Sequence, residues 1–522
     1  MAPGASGLLA LALALALAPA PRPLAAQEPG TWAADRARLA ELLGRTTPRD
    51  TATHDGWRLV PVLPTVRLVW NSDLPHSLND GPLWAGRGLS TSVTGGVGAT
   101  GTIGGWRVRA VLGPTVVASA NRPFQVIPGA DPARSSFSSP WHVGQASADL
   151  PLRMGDRSLL VLDPGTSTLA VSRGAVEVGA TTSPEWWGPG IRNALVLSTN
   201  GPGVPRLYLG TARPVRTAVG AVEARLLAGT LTESLFFDSL AANDYRSLSG
   251  FLVTLRPAGE PGLTLGLARV AVAPIAGAGG SLSHALDALV RWESIAAPDD
   301  TLADGRSRQR VDQVLSLFGR WVVPHGLEVY GEWARMELPR SLREWLTAPQ
   351  STQGYTLGLQ WARPMRDTAT MVRLQGEVSY VEQSALDPLR DVPDFYTGRA
   401  TAHGFTQRGQ LLGAAIGPGG SSQWIAGDWL RPGWQAGLFA GRIRWENDAL
   451  YRQRFPTPTR HDVTLFAGAR GGHVVGPFDV TGELTVSNRI NYLFQNLAPN
   501  PDTRTAVDVR NVTLGLMLAP RR

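Results

Sequence analysis

Apolar and polar residues alternate with a period of two in many short runs between residues 60 and 518. Clear examples lie at 106–112, 327–333, 372–380, 439–446 and 478–487. Successive side chains of a β-strand point to opposite faces, so each run predicts a strand with one apolar face. The runs approach the length of about 9–11 residues that a tilted membrane-spanning strand requires.

Three features favour a membrane barrel over a soluble multi-blade β-structure, which remains the alternative. The runs are too numerous for one β-sandwich, and their polar face carries full charges such as Arg373 and Glu377, as a wet lumen permits. Tryptophans lie at the ends of runs, where an interfacial girdle would place them: Trp70, Trp361, Trp424 and Trp445. Backbone groups in hydrocarbon must all be paired. We therefore predict an all-β fold, a large transmembrane antiparallel β-barrel formed by residues 60–522.

The chain before residue 60 has a different pattern. Leu8–Ala18 is a short apolar core, and small residues precede Gln27, so residues 1–26 are predicted to be a signal peptide. Residues 27–59 are predicted to be a periplasmic helical segment, with a helix over Thr31–Gly44. Helical spacing returns at Ser281–Ile295 and Pro339–Leu346, which we expect in loops or against the periplasmic mouth.

Composition excludes several classes of protein. A hydrophobic content of 43% and a charged content of 17% are incompatible with intrinsic disorder. The sequence has no apolar run long enough for a membrane helix. The net charge is +7, but Arg and acidic residues are interleaved, so we expect no nucleic-acid partner. With Cys 0, disulfides are impossible.

The sequence shows no catalytic or metal-binding motif. The shortest spacing between histidines, from His461 to His473, is 12 residues, which is unlike the spacings of local zinc sites. No P-loop, Rossmann fingerprint or nucleophile elbow is present. We therefore predict no enzyme activity, no cofactor and no metal, although a dispersed Asp/His/Ser site inside a barrel stays open as an alternative.

The most distinctive stretch is Ser183–Leu209, which carries Trp-Trp-Gly-Pro-Gly at 186–190, then Arg192 and Asn193. It resembles the signature of the Wzi capsule-assembly family, and 262–269, 355–360 and 403–423 resemble that family in the same order. The resemblance implies an outer-membrane barrel of about 18 strands, with helices closing its periplasmic side. The final strand departs from the usual pattern, because the chain ends without a terminal aromatic residue.

The resemblance also implies a non-enzymatic, lectin-like protein that binds or anchors capsular or other surface polysaccharide. We expect a monomer in contact with outer-membrane lipid or lipopolysaccharide, and a porin for small solutes is the alternative function. Aromatic faces stack on sugar rings, and Arg and Asn bond to hydroxyls or carboxylates. The motif could equally shape the barrel mouth or plug the lumen. The candidate sugar-binding residues are Trp186, Trp187, Arg192, Asn193, Phe395, Tyr396, Arg399 and His403.

Overall fold

A computed structural model describes residues 32–44, 56–129, 131, 133–294, 309–366, 370–383, 394–452, 460–495 and 507–521. The predicted signal peptide, residues 1–26, lies outside these ranges. The strands are β1 (Arg58–Asn71), β2 (Gly88–Ile103), β3 (Trp106–Leu112), β4 (Thr115–Ser119), β5 (Leu159–Asp163), β6 (Thr168–Arg173), β7 (Val176–Thr181), β8 (Arg206–Thr211), β9 (Val215–Thr217), β10 (Gly220–Thr232), β11 (Tyr245–Pro257), β12 (Leu263–Pro274), β13 (Asp312–Val323), β14 (Leu327–Arg335), β15 (Gln353–Pro364), β16 (Met371–Tyr380), β17 (Thr406–Gln407), β18 (Gln410–Leu411), β19 (Ser421–Arg431), β20 (Trp434–Trp445), β21 (Asp462–Val475), β22 (Phe478–Ile490) and β23 (Val509–Pro520).

The helices are few and short. They are α1 (Trp32–Leu42), α2 (Asp287–Val290), α3 (Leu342–Thr347) and α4 (Asn447–Arg452), with 3-10 turns at Gly144–Ala146, Ala278–His284 and Tyr492–Phe494. Among the described residues, none of the helices has the length and apolar character needed to cross a membrane.

The strands close into an antiparallel barrel. β1 pairs with β2 along one edge and with β23 along the other, where Val66 lies opposite Leu518. In three places two short strands lie end to end and together form one strand of the barrel. These are β3 with β4, β5 with β6, and β8 with β9. The barrel therefore has 18 strands, and the predicted fold class is confirmed. Closure pairs the first and last long strands, β1 and β23, with each other, so neither presents a free edge to another chain.

The two ends of the barrel differ in the length of their connections. Tight turns join β2 to β3, β6 to β7, β19 to β20 and β21 to β22, whereas the alternate connections are much longer. In outer-membrane barrels the short turns are periplasmic. We therefore assign the short-turn end to the periplasm, and the predicted helical insertions α2 and α3 fall in long connections at the opposite end.

The side-chain pattern of β16 confirms the predicted faces. Leu374 and Val378 are 50% and 41% exposed on the outside, while Arg373, Gln375 and Glu377 are buried in the lumen. Exposed tryptophans also surround the short-turn end, as a girdle at the membrane interface would: Trp57, Trp106, Trp321, Trp429 and Trp434.

The predictions for β19 and β20 are partly wrong. Phe439 and Ile443 were expected to face lipid, yet both are buried in the apolar cluster that fills the lumen. Trp424 and Trp445, predicted as girdle residues, contact the same cluster. The reason is that this part of the lumen holds protein instead of water, so its wall is also apolar.

Candidate functional site

Residues 183–205, here called the crossing segment, leave the wall after β7 and return at β8, whose ends are paired at Thr181 and Arg206. The segment spans the lumen to β16. There the carboxylate of Glu377 accepts hydrogen bonds from the backbone N–H groups of Ile191, Arg192 and Asn193, at 2.5, 3.1 and 2.9 Å. A buried carboxylate with several N–H donors fixes the path of the chain, because charge-assisted hydrogen bonds are the stronger kind.

The glycines of the Trp-Trp-Gly-Pro-Gly motif permit this close approach. A Cβ at Gly188, where φ is +151°, would lie 2.5 Å from the Glu332 carboxylate of β14. A Cβ at Gly190 would lie 2.0 Å from the Asn193 carbonyl oxygen. Any larger residue at either position would displace the segment from these contacts. The two glycines of the motif are therefore needed for the path of the backbone, apart from any role of the two tryptophans.

Residues 394–420, here called the inner loop, also fold into the lumen. The Tyr396 hydroxyl donates to the Leu195 carbonyl and accepts from the Ala414 N–H, at 2.8 and 2.9 Å. The Ser198 N–H donates to the Leu412 carbonyl at 2.7 Å. The crossing segment and the inner loop thus share one apolar cluster in the middle of the barrel.

Helix α1 lies inside the short-turn end and is held there by ion pairs with the wall. Arg373 of β16 joins Asp35 of the helix to Asp428 of β19, at 2.7 and 2.9 Å. Arg38 pairs with Glu328 of β14 and also donates to the carbonyl oxygen of Pro189, at 2.7 Å. The helix therefore contacts both the wall and the crossing segment.

A cavity of about 570 Å³ lies beside these elements, against the short-turn halves of the strands from β1 to β11. Trp186 and the paired side chains of Glu185, Arg206 and Arg225 form its inner wall, with both Glu185–Arg distances at 2.7 Å. The Arg225 guanidinium lies 4.5 Å from the centre of the Tyr208 ring. Threonines also line the cavity: Thr65, Thr94, Thr166, Thr168, Thr181, Thr211 and Thr254.

The structure places the predicted residues of the motif in different environments. Trp186 is half-buried at the cavity, whereas Trp187 is 2% exposed, packs over Gly250 and donates to Glu185 at 2.6 Å. Arg192 lies 5.1 Å from the centre of the Trp424 ring, and Asn193 bonds to Glu377. The cavity is thus lined by both Trp186 and Trp187. Arg192 and Asn193 lie on the far side of the lumen, beside β19 and β16.

The predicted contacts of the second group lie in the inner loop. Phe395 and Tyr396 are fully buried, and the backbone N–H of Arg399 donates to Asp312 at 2.8 Å. His403 is 1% exposed. Residues 384–393, which precede this group, lie outside the described residues. For all eight candidates, a role in sugar binding stays a prediction.

Sequence reasoning missed Glu185, Arg206, Tyr208 and Arg225, which form the polar wall of the cavity. Arg206 and Tyr208 alternate with apolar residues in β8, and this spacing could have placed them on the inner face. Their convergence with Arg225 could not be found in the same way, because it depends on the pairing of β8 with β10.

The fold also brings together three side chains that could hold a metal ion, Glu233, Asp238 and His403, whose ligand atoms all lie within 4.8 Å of one another. The His403 Nε2 lies 2.7 Å from a Glu233 oxygen. Burial lowers the pKa of His403 to about 2, so the imidazole is neutral. Burial raises the pKa of Glu233 to about 8, and the carboxylates of Asp238 and Asp244 add to the shift.

The barrel is closed and has 18 strands, its lumen is charged and filled, and an apolar belt faces the lipid. These features define the class of protein as an outer-membrane β-barrel. No protein-family model and no curated protein matches the chain. Among solved structures, it is similar to Wzi of Escherichia coli, described as an outer membrane protein involved in group 1 capsule assembly and a carbohydrate-binding β-barrel. The match has 13% identity, a TM-score of 0.52, and covers 88% of this chain and 84% of that chain.

Porins match less closely. The anion-selective porin from Comamonas acidovorans has 10% identity and a TM-score of 0.35, with 89% of this chain and 99% of that chain covered. OccK2 of Pseudomonas aeruginosa has 12% identity and a TM-score of 0.39, with 87% and 96% covered. The match to Wzi supports the barrel fold. A closed barrel of this size with an apolar outer belt belongs in the outer membrane, which confirms the predicted localisation.

Proposed function

We propose that this barrel binds surface polysaccharide, of the capsular kind that the Wzi resemblance implies, and that it performs no covalent chemistry. The observation that carries the proposal is the cavity beside Trp186. Its volume, about 570 Å³, falls within the range of about 300–1,000 Å³ that is typical of ligand sites. An indole face, threonine hydroxyls and ion-paired arginines are the groups that sugars use for stacking and hydrogen bonding.

The filled lumen favours this function over the porin alternative. Helix α1, the crossing segment and the inner loop all lie inside the wall, and the last two share one apolar cluster. We therefore expect purified barrels in planar bilayers to conduct far less than an open porin. Stable conductance of porin size in the wild-type protein would favour a channel instead.

The test is glycan binding by the purified barrel in lipid nanodiscs, measured against a panel of neutral and uronate-containing surface oligosaccharides. We expect Trp186→Ala to weaken binding at least tenfold, which corresponds to about 1.4 kcal/mol. Trp186→Phe should retain part of the affinity, because it keeps an aromatic face. Trp429→Ala is the matched control, since Trp429 is 52% exposed on the lipid side.

Two results would refute the proposal. One is the absence of binding by the wild-type barrel to every oligosaccharide of the panel, together with unchanged surface polysaccharide in a deletion strain. The other is glycan binding that Trp186→Ala leaves unchanged, which would place the site elsewhere, such as at the outer loops.

A further inference from the structure

We propose that Glu233, Asp238 and His403 form a divalent metal site of the Zn²⁺ type that ties two outer connections of the barrel together. Glu233 directly follows β10, Asp238 lies in the same connection to β11, and His403 belongs to the inner loop. The site is independent of the proposed glycan cavity, which lies toward the opposite end of the barrel.

The geometry of the donor atoms fits a small cation. The three ligand atoms lie within 4.8 Å of one another. Zinc binds His nitrogen and carboxylate oxygen at about 2.0–2.2 Å, so ligands at tetrahedral angles are about 3.4 Å apart. Rotations of partly exposed Glu233 and Asp238 side chains would bring the cluster to that spacing, and three protein ligands leave a fourth position for water.

The packing of His403 fixes the direction of its Nε2. The side chain is 1% exposed and lies against Phe237, with 4.4 Å between ring centres. Its Nε2 lies 2.7 Å from a Glu233 oxygen, so a buried imidazole nitrogen and a carboxylate point to the same place, as the ligands of one cation would.

The charges around the cluster leave an excess of negative charge. Four carboxyl groups, those of Glu233, Asp238, Asp244 and Asp149, lie near two guanidinium groups, those of Arg246 and Arg134. Arg246 faces the cluster, but its hydrogen bonds go to the Gly404 and Thr232 carbonyls and the Thr406 hydroxyl. Since this arginine pairs with neutral acceptors, a divalent cation would offset the carboxylates.

Arg134 is the second cation near the cluster, and its hydrogen bonds also go elsewhere. Its guanidinium donates to the His142 carbonyl and to the Ser147 hydroxyl, and pairs with Asp131 at 3.4 Å. The carboxylate of Asp238 is oriented by the Leu240 N–H and the Asn243 amide, at 2.7 and 3.1 Å. Such outer hydrogen bonds position metal ligands.

An imidazole nitrogen with two carboxylates selects the class of metal. Imidazole suits Zn²⁺ and other first-row transition ions, whereas Ca²⁺ and Mg²⁺ prefer oxygen ligands alone. A metal bound here would link the β10–β11 connection to the inner loop, and so stabilise the outer part of the filled lumen by binding only the folded state.

The test uses the tag-free, full-length barrel in detergent, stripped with EDTA and titrated with ZnCl₂ by calorimetry, and with Co²⁺ by visible absorption. We expect one Zn²⁺ per chain. Asp238→Asn and His403→Gln should each weaken binding at least tenfold. Asp238 is partly exposed, so its variant tests the site even if the buried His403 variant folds poorly.

Two variants are matched controls. Asp244→Asn removes one charge from the same field without removing a ligand, and His473→Gln removes an exposed histidine at the short-turn end. Both should bind Zn²⁺ within twofold of the wild type. Absence of stoichiometric Zn²⁺ binding by the wild type, an unchanged affinity in Asp238→Asn, or an equal loss in Asp244→Asn would overturn the assignment.

Discussion

The anchoring of the crossing segment by Glu377 leads to a quantitative prediction for Glu377→Gln. The carboxylate accepts from the N–H groups of Ile191, Arg192 and Asn193 and from the Tyr330 hydroxyl, at 2.8 Å for the last. A glutamine keeps the shape but offers one accepting oxygen and directs an NH₂ group at these donors. One unsatisfied buried donor costs about 1–3 kcal/mol, and the loss of charge adds to it, so we expect a local cost of about 3 kcal/mol.

The assay is amide hydrogen exchange of the barrel in detergent, read on peptides that cover residues 188–197. Exchange reports local opening, which is the quantity that this substitution changes. A cost of about 3 kcal/mol corresponds to exchange faster by roughly 100-fold, at 1.36 kcal/mol for each factor of ten. Peptides from β1 to β6 should be unaffected.

Glu223→Gln is the control, because Glu223 lines the cavity but makes no described hydrogen bond to the crossing segment. It should leave exchange at residues 188–197 unchanged. Equal protection of these amides in Glu377→Gln and the wild type would show that the carboxylate does not hold the segment. A similar acceleration in Glu223→Gln would show that lumenal charge in general is responsible.

Three further predictions concern stability. Trp187→Ala removes a 2% exposed indole, so we expect a loss of about 3–5 kcal/mol and a lower thermal unfolding temperature; an unchanged temperature would contradict its core role. Arg373→Gln breaks the buried link between Asp35 and Asp428 at a cost of about 3–5 kcal/mol, and should speed proteolysis within α1, whereas wild-type cleavage rates would argue against docking by ion pairs. Burial raises the pKa of Glu233 from 4.5 to about 8 in the folded protein, so its ionisation lowers the stability as pH rises between these two values. In EDTA the unfolding temperature should fall as pH rises toward 8, less so in Glu233→Gln, and an identical profile in both proteins would count against this.

The alternating pattern predicted the barrel because lipid contact imposes the same demand on every strand. It correctly assigned both faces of β16, where charges in the lumen contrast with Leu374 outside. It failed in β20, where Phe439 packs on the lumenal cluster and Arg442 and Arg444 lie on the other face. A strand whose inner face meets packed protein has apolar residues inside as well, so the contrast that identifies the lipid side is lost.

The Trp-Trp-Gly-Pro-Gly motif located the segment that enters the lumen but not the role of each tryptophan. Trp186 reaches the cavity and Trp187 is buried, and this division depends on Gly188 and on the anchors provided by β14 and β16. The histidine spacing, for its part, predicted no metal site. His403 is 170 positions from Glu233, so only the folding of the inner loop into the lumen makes them neighbours.

From its sequence alone, this protein is predicted to be a chain of amphipathic strands that close into a barrel in a bilayer, because alternation and composition are local properties that contact with lipid selects on every strand. What fills the closed barrel was decided by tertiary structure. The cavity wall at Trp186, the carboxylate of Glu377 beneath the crossing segment and the cluster around His403 all join residues far apart in the chain. Ring closure and inward folding of two long connections create these contacts, and no periodicity in a strand encodes which distant side chains will meet.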